Sequence, residues 1–552
     1  MASLDGKGKK KRSPRMAGNG SGRFVRVTCA PAPGAVEVGL LLTFCVVGLY
    51  LYGFYEVVGA LPNIPSPPNW RSHLGENINL ARNEWNDAQR AASPIDTPLD
   101  PTIPLARWPV SLRDEPNNVE TLLHTGDGTT QMSVPRFWSK PIHQDTLMTR
   151  ATAMRVGSCI QPDAHGNHAR GESCPTAQRT IFVAIASYRD FECRSTVESI
   201  FTRAAHPERI RVAVVDQIVH GEDVLCDAPI QPCDTHPEQA LCQYKNQLDV
   251  YEMAAELSVG PVFARHIGHR MYRGEYYATQ SDAHVTYTQN WDADIITQLE
   301  ATGNELAVLT TYLTDVQGSI DKNGKSLRNT RPIMCNTAYE GGAQGMHLRH
   351  GSQPEKRPSI HGMPQLQPWW AAGYSFSRGH FVVNVPYDPY QPMIFQGEEM
   401  SIGIRGFTIG YDYYAPERSV CFHHYAVGDN AKIRNKVHHF WENDNKYAGT
   451  GKKAMKRLLG IVHMNPEVDP KTWNHAELDM YGVGLVRTPE KFYELFGIDV
   501  VQQTTEKHLC RFVDGDTGKM HKLFHDQHLR RDGMGIDYAD IDYKFVDPNP
   551  NE

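Results

Sequence analysis

Asp282 and His284 stand two apart near the middle of Tyr272–Ile296, YRGEYYATQSDAHVTYTQNWDADII. Tyr276 to Ser281 reads as a buried strand running into them. Side chains alternate with a period of two along a strand, so residues i and i+2 share a side of the backbone. A carboxylate oxygen and an imidazole nitrogen then project together from the carboxyl edge of a sheet, where open α/β folds bind nucleotides. The pair offers a metal one hard and one borderline ligand. Asp-x-His recurs at Asp163–His165, Asp234–His236 and Asp526–His528, but those copies lie among Gly, Pro, Asn and charged residues with no strand before them. Context therefore singles out Asp282 and His284. Asn290-Trp291-Asp292 then turns the chain, and Asp292 is expected to cap a helix whose apolar face holds Ile295, Ile296 and Leu299.

A sheet must carry these residues, and its strands are legible. Thr180–Ala186, TIFVAIA, is an apolar run ending in Ser187-Tyr188-Arg189-Asp190. Val197, Ile200, Phe201 and Ala204 follow at helical spacing, and Ile210–Val215 is a second strand ending in Asp216-Gln217. Strand, helix and strand at this spacing make a βαβ unit with parallel strands. Asp223–Gln247 reads as a Cys- and Pro-bearing insertion passing into a helix. Gly260-Pro261 opens another helix, with proline at its first position, and Ala307–Leu313 is a further strand. The expectation is an α/β nucleotide-binding fold with a mostly parallel sheet. No GxGxxG or Walker loop is present, so neither a dinucleotide nor a P-loop reading has support.

Beyond Gly345 the pattern changes. Trp369, Trp370 and Tyr374 read as core residues with room for a sugar-stacking role. FQGEEM, Phe395–Met400, brings Glu398 and Glu399 together after a glycine; adjacent side chains diverge, so one faces a site and the other caps the helix that follows. VCFHHY, Val420–Tyr425, is a strand-like piece carrying His423 and His424. From Ala431 to Lys544 the chain is charged and mixed, and its histidines read as a solvated surface.

The 552 residues exceed one compact core. A net charge of −7 excludes a basic nucleic-acid binder. Positive charge nevertheless crowds the first 26 residues, from Lys7 to Arg26, and Val38–Tyr55 is an uncharged run of eighteen. That run is just long enough to cross a bilayer, and basic residues ahead of it place the N-terminus in the cytosol. The organisation expected is a cytosolic tail (1–34), a transmembrane anchor (35–60), a proline-rich stem (61–178), a catalytic domain (179–430) and a C-terminal extension (431–552). Nine of the eleven cysteines lie beyond the span, so in an oxidising lumen at least one remains unpaired within the chain; Cys159 and Cys174 are placed to close the loop 163–171. The sequence leaves the oligomeric state open.

Several stretches carry a resemblance to a known family: IFVAIASYRDFEC (Ile181–Cys193), GPVFAR (Gly260–Arg265), YRGEYYATQSDAH (Tyr272–His284), NWD (Asn290–Asp292), VPYDP (Val385–Pro389), FQGEEMSIGIRGFTIGYDYYAP (Phe395–Pro416) and FHHY (Phe422–Tyr425). In this order they resemble the polypeptide-directed N-acetylglucosaminyltransferases, which transfer GlcNAc to a hydroxyproline or threonine. The likeness covers about Arg179 to Tyr425. This chain has Asp282-Ala283-His284 where the family usually has Asp-Ser-His, which keeps both ligand types. The predicted span, absent from the cytoplasmic member, favours a secretory acceptor.

The resemblance implies a GT-A-like fold, UDP-GlcNAc as donor, a polypeptide Ser or Thr (or hydroxyproline) acceptor, retention at the anomeric carbon and a Golgi type II membrane location. Asp282 and His284 then suit Mn²⁺ beside the donor diphosphate. The family pattern implies a third ligand at His423, with His424 the alternative. Ser187, Tyr188, Arg189, Asp190 and Gln217 end the first two strands and are expected at the nucleotide, with Asp282. Arg265 is expected to pair with phosphate by its planar fork, and Glu398 and Glu399 to hold the sugar or acceptor. Rival readings are another UDP-sugar, a glycan acceptor, or an inactive lumenal binding protein; a metallohydrolase would want an HExxH cluster, which is absent.

Overall fold

β1 (Ile181–Tyr188) shows why the sheet is covered on both faces. Its alternate residues Ile181, Val183 and Ile185 enter one apolar cluster, while Phe182 and Ala184 enter another. β2 (Ile210–Ile218) divides in the same way, with Val212 and Val214 on the first side and Ala213 and Val215 on the second. On the first side pack α1 (Cys193–Thr202), through Val197, Ile200 and Phe201, and α3 (Trp291–Ala301), through Ile295 and Ile296. On the second packs α2 (Pro261–Arg270), through Phe263, Ala264 and Ile267. A strand buried on both faces reads as a continuous apolar run, which is why β1 and β2 were visible in the sequence.

The computed structural model describes residues 119–541, apart from 163–167, 343, 359–361 and 514–517. The remaining strands of the central sheet are β3 (Leu248–Ala254), β4 (Tyr277–Asp282), β6 (Ala307–Thr310), β7 (Gln365–Gln367), β8 (Tyr374–Arg378) and β9 (Asp412–Ala415). The eight lie in the order β7-β9-β6-β8-β4-β1-β2-β3. β3, β2, β1 and β4 run parallel, and β6 is parallel to β9. β8 is antiparallel to both β4 and β6, and β7 to β9. The sheet is therefore mixed, with six strands running one way as expected and β8, beside β4, and the edge strand β7 reversed. A small antiparallel ladder of β5 (Val285–Tyr287) with β10 (Cys421–His423) stands just past the end of β4.

Several expectations need correction. β3 follows directly on the stretch read as insertion and helix; Val250 and Met253 are buried, but Asp249 and Glu252 break its apolar run at the sheet edge, so it carried no strong strand signal. Asp292 does not cap α3. Its carboxylate accepts the backbone N–H of Ala205 and His206 and pairs with buried Arg209, tying α3 to the β1–β2 crossover. Trp369, Trp370 and Tyr374, each about 1% exposed, are core as first read, and the stacking role left open for them falls away. The segment read as stem is folded from Val119: hairpin strands Val119–Leu123 and Gln131–Pro135 place Met132 and Val134 in the core with Trp138 and Val156. The C-terminal extension also belongs to the core, through Met455, Leu458, Phe492 and Phe524. Among the described residues no helix is long and apolar enough to cross a membrane, and the run Val38–Tyr55 lies outside them.

Among the described residues four disulfides close the fold, Cys159–Cys174, Cys193–Cys226, Cys233–Cys242 and Cys335–Cys510, and Cys421 is a buried free thiol.

Candidate active site

β4 delivers Asp282 to the C-terminal edge of the parallel strands, and the Asp282 N–H donates to the Gly373 carbonyl (3.1 Å). Gly373 has to be small, because a Cβ there would lie 3.0 Å from Asp282 Oδ2. The β5–β10 ladder sets His423 opposite Val285, and the His424 N–H donates to the His284 carbonyl (2.8 Å). His423 therefore falls beside His284, with ring centroids 4.4 Å apart and planes nearly perpendicular. Ligand atoms of Asp282, His284 and His423 all lie within 4.8 Å of one another. His423 Nε2 is 3.5 Å from Asp282 Oδ2. His424 goes elsewhere: its Nε2 meets the Thr286 hydroxyl (2.7 Å).

Each ligand is steadied from behind. Asp190 Oδ2 is 2.6 Å from His284 Nδ1, which leaves His284 Nε2 as the ring's metal-facing nitrogen. A carboxylate behind a metal-binding imidazole fixes its tautomer and raises its basicity. Burial works to raise the Asp190 pKa, but the His284 hydrogen bond and the charges of His284 and Arg434 outweigh it and hold the carboxyl below its ordinary value. Asp282 Oδ1 accepts from Arg265 (2.8 Å), and despite burial the contacts with His423 and Arg265 hold Asp282 well below the usual carboxylate range. Burial, then the charges of His284 and Arg434, holds His423 low against the pull of Asp282, so it is neutral and available as a ligand. Two imidazoles and one ionised carboxylate are a donor set that suits a divalent first-row ion, so the residues present fit such an ion.

Glu398 and Glu399 open α4 (Glu398–Ile409) behind this cluster. Glu398 pairs with Arg265, whose fork thus spans Glu398 and Asp282. Glu399 accepts the Ala372 N–H (2.9 Å) and the Tyr312 hydroxyl (2.7 Å). Burial, reinforced by the neighbouring carboxylates, pushes Glu398 and Glu399 each up to about 7. Arg265 is therefore a buried counter-ion of two carboxylates, not the free phosphate fork expected from the sequence.

The nucleotide set is only partly as read. Ser187 pairs in register with Asp216, and Tyr188 with Gln217, at the ends of neighbouring parallel strands. Gln217 donates to the Ser187 carbonyl (2.9 Å), and its buried Oε1 has no hydrogen-bond partner. The Tyr188 hydroxyl donates to the His438 carbonyl (2.9 Å). Arg189, at φ 48°, is held by Asp223 and Glu222, so it ties the end of β1 to the loop after β2. Asp190 supports His284 instead of facing a ribose. The sequence reading missed Tyr312 and Arg434; both come from segments distant in sequence, and nothing local marks them.

The class of protein is settled by comparison with known families: the chain is a glycosyltransferase. Residues 180–233 and 222–502, more than half of the chain, match the family described as Glycosyltransferase (GlcNAc), and the chain belongs to that family. No curated protein matches the sequence. Among solved structures, similar ones include GalNAc-T7 with UDP, GalNAc and Mn²⁺ (14% identity over 61% of this chain and 59% of that one, TM-score 0.35) and S. aureus TarS (11% identity over 51% and 43%, TM-score 0.27). The chain spans less than two thirds of the length of either, and likeness at this distance carries no argument about the site.

Proposed function

We propose that this glycosyltransferase moves GlcNAc from UDP-GlcNAc to a hydroxyl of a polypeptide, Ser or Thr before hydroxyproline, with retention at the anomeric carbon. The convergence of Asp282, His284 and His423 at the carboxyl edge of β1 and β4 carries the reading. These three would hold a divalent ion, Mn²⁺ by their chemistry, and such an ion would neutralise the charge that develops on the departing diphosphate. Asp190 keeps a proton on His284 Nδ1, so Nε2 remains a lone-pair donor. Arg265 orients Asp282 and keeps it ionised. The second oxygen of Glu398, buried and without a hydrogen-bond partner, would accept from a sugar hydroxyl, and Glu399 would fix the floor of that subsite through Ala372 and Tyr312. Gln217 Oε1 would accept the uracil N–H, with Ser187 and Tyr188 lining the same end. No side chain beyond these is assigned as a strong base, because in a retaining transfer the departing phosphate oxygen takes the acceptor proton.

A Golgi type II location is proposed with it. The basic tail and the run Val38–Tyr55 support the anchor, and the four disulfides suit an oxidising lumen. UDP release by the full-length chain, measured with Mn²⁺ across a panel of UDP-sugars and with Thr-rich peptides, tests the reading. Turnover of UDP-GlcNAc that disappears in Asp282→Asn is the expected result. Turnover of a different sugar would replace the donor, and a folded chain that neither binds nor turns over any UDP-sugar would sink the proposal.

A further inference from the structure

Tyr387 lies between the helices that carry Arg265 and Glu398. His266 on α2 accepts from Arg270 at Nε2 (2.7 Å), so its Nδ1 carries the proton and donates to the Tyr387 carbonyl (2.8 Å). From α4, Arg405 donates to the neighbouring Pro386 carbonyl (2.8 Å). With the backbone clamped from both sides, the Tyr387 ring packs against His269 (ring centroids 4.9 Å apart) and Trp370 (6.5 Å). His269 stands one helical turn beyond Arg265, on the same face of α2. Burial pushes the Tyr387 hydroxyl well up, and the charges of Glu398 and Arg265 act on it in opposite senses, so it lies within electrostatic reach of that ion pair. His269, Trp370 and Tyr387 wall a small internal cavity, together with Ser375 and Ser377 of β8 and Ile402 of α4. Ser375 and Ser377 pair with Gln280 and Ala278 of β4, so they share the sheet face that α2 covers. The volume open to the centre of a water molecule is about 10 Å³, near the least that holds one water. His269 Nδ1, the Trp370 indole nitrogen and the Tyr387 hydroxyl are buried, and none has a hydrogen-bond partner in the protein. Buried polar groups are almost always paired, and ordered water is the usual partner where side chains supply none.

We propose that this cavity binds one ordered water through His269, Trp370 and Tyr387, and that Tyr387, held by it, is a positioning residue for Glu398 at the donor sugar. The inference rests on the donor reading given above. An indole can only donate, so the water accepts from Trp370 and offers its own hydrogens to the Tyr387 oxygen and the His269 ring. A ring fixed in the gap between α2 and α4 sets how those helices stand to each other. It thereby sets where the Arg265–Glu398 pair presents the second Glu398 oxygen. Tyr387 touches no donor atom in this scheme; it acts through Glu398.

Two measurements on the full-length chain test this. A high-resolution crystal structure of wild type should show water density within hydrogen-bond distance of the Tyr387 hydroxyl and of His269 or Trp370; a cavity without density overturns the proposal. UDP and UDP-GlcNAc are then titrated with Mn²⁺ into wild type, Tyr387→Phe and the control Tyr390→Phe, which loses a hydroxyl of the same segment that meets Glu477 at the surface. Tyr387→Phe is expected to weaken UDP-GlcNAc about three- to tenfold and leave UDP unchanged. Tyr390→Phe should match wild type with both. Unchanged UDP-GlcNAc affinity in Tyr387→Phe, or equal weakening of both ligands, overturns the positioning role; the second outcome would mark the hydroxyl as merely structural. Should Tyr387→Phe fail to fold, Ser375→Thr decides, since it keeps the hydroxyl and adds a methyl group about the size of the water. Selective loss of UDP-GlcNAc affinity supports the proposal, and wild-type affinity overturns it. A wild type that does not bind UDP-GlcNAc would remove the donor reading, and with it the role of Tyr387 at the sugar, while the crystal structure would decide the water on its own.

Discussion

Asp190 illustrates how much of a ligand's behaviour is set by the residue behind it. Without its carboxylate the His284 ring is free to rotate and to take the other tautomer. Asp190→Asn keeps the shape and removes the charge, so Mn²⁺ affinity should fall about ten- to a hundredfold while the fold survives. Titration calorimetry with Mn²⁺, paired with a thermal melt, checks this; an unchanged affinity would remove Asp190 from the site. The sequence revealed Asp282 and His284 because their spacing and the strand before them are local facts. It placed Asp190 and Arg265 near the site but gave them the wrong neighbours. Which oxygen faces which nitrogen depends on the approach of β1, α2 and α4, none of which leaves a trace in a linear motif.

At the scale of elements, α4 and α5 (Thr450–Ile461) explain why the C-terminal region matters to the chemistry. Gly397 precedes Glu398 at φ 104°, a left-handed conformation, and a Cβ there would come 3.1 Å from Leu458 Cδ1 on α5. Gly397→Ala should destabilise the protein by about 1–2 kcal/mol. It should also weaken UDP-sugar binding by shifting Glu398 and Glu399. Denaturant unfolding and donor titration measure the two effects, and a variant with normal stability and binding would show that α5 does not position α4. The helices α1, α2 and α4 and the strands β1 and β2 were legible, because two-face burial and proline or glycine starts are strong local signals. The mixed order of the sheet was not. β8, Tyr-Ser-Phe-Ser-Arg, is buried throughout although three of its five residues are polar, and only its pairing reveals the reversal. The folded residues from Val119 were hidden by their weak periodicity and by the proline-rich stretch Pro62–Pro104 ahead of them, and α5 by the lysines on its exposed face.

Across the whole molecule, burial has left many histidines neutral. His269, His350 and His521 are pushed down to about 3, in each case chiefly by burial. In the unfolded chain such groups take a proton near their ordinary value of 6.5, while the folded protein refuses it until far lower pH. Stability is therefore complete above about pH 6.5 and is lost as pH falls below it, at roughly 1.4 kcal/mol per pH unit for each such histidine. Glu398 and Glu399, raised to about 7, work the other way between 4.5 and 7, since the unfolded state releases their protons first. The lowered histidines, which also include His124, His266, His380 and His525, outnumber them. The metal-free protein should thus unfold at lower denaturant at pH 5.5 than at pH 7, as denaturation midpoints at the two values will show; equal midpoints would contradict the burial of these rings as neutral groups.

The Cys335–Cys510 bond joins positions 175 residues apart. The other three bonds among the described residues span 9, 15 and 33 residues. The entropy a cross-link removes from the unfolded chain grows with the loop it closes, so this longest link is expected to restrain that state most. It is also the covalent tie between the middle of the chain and its C-terminal region, and without it that region would be held by non-covalent packing alone.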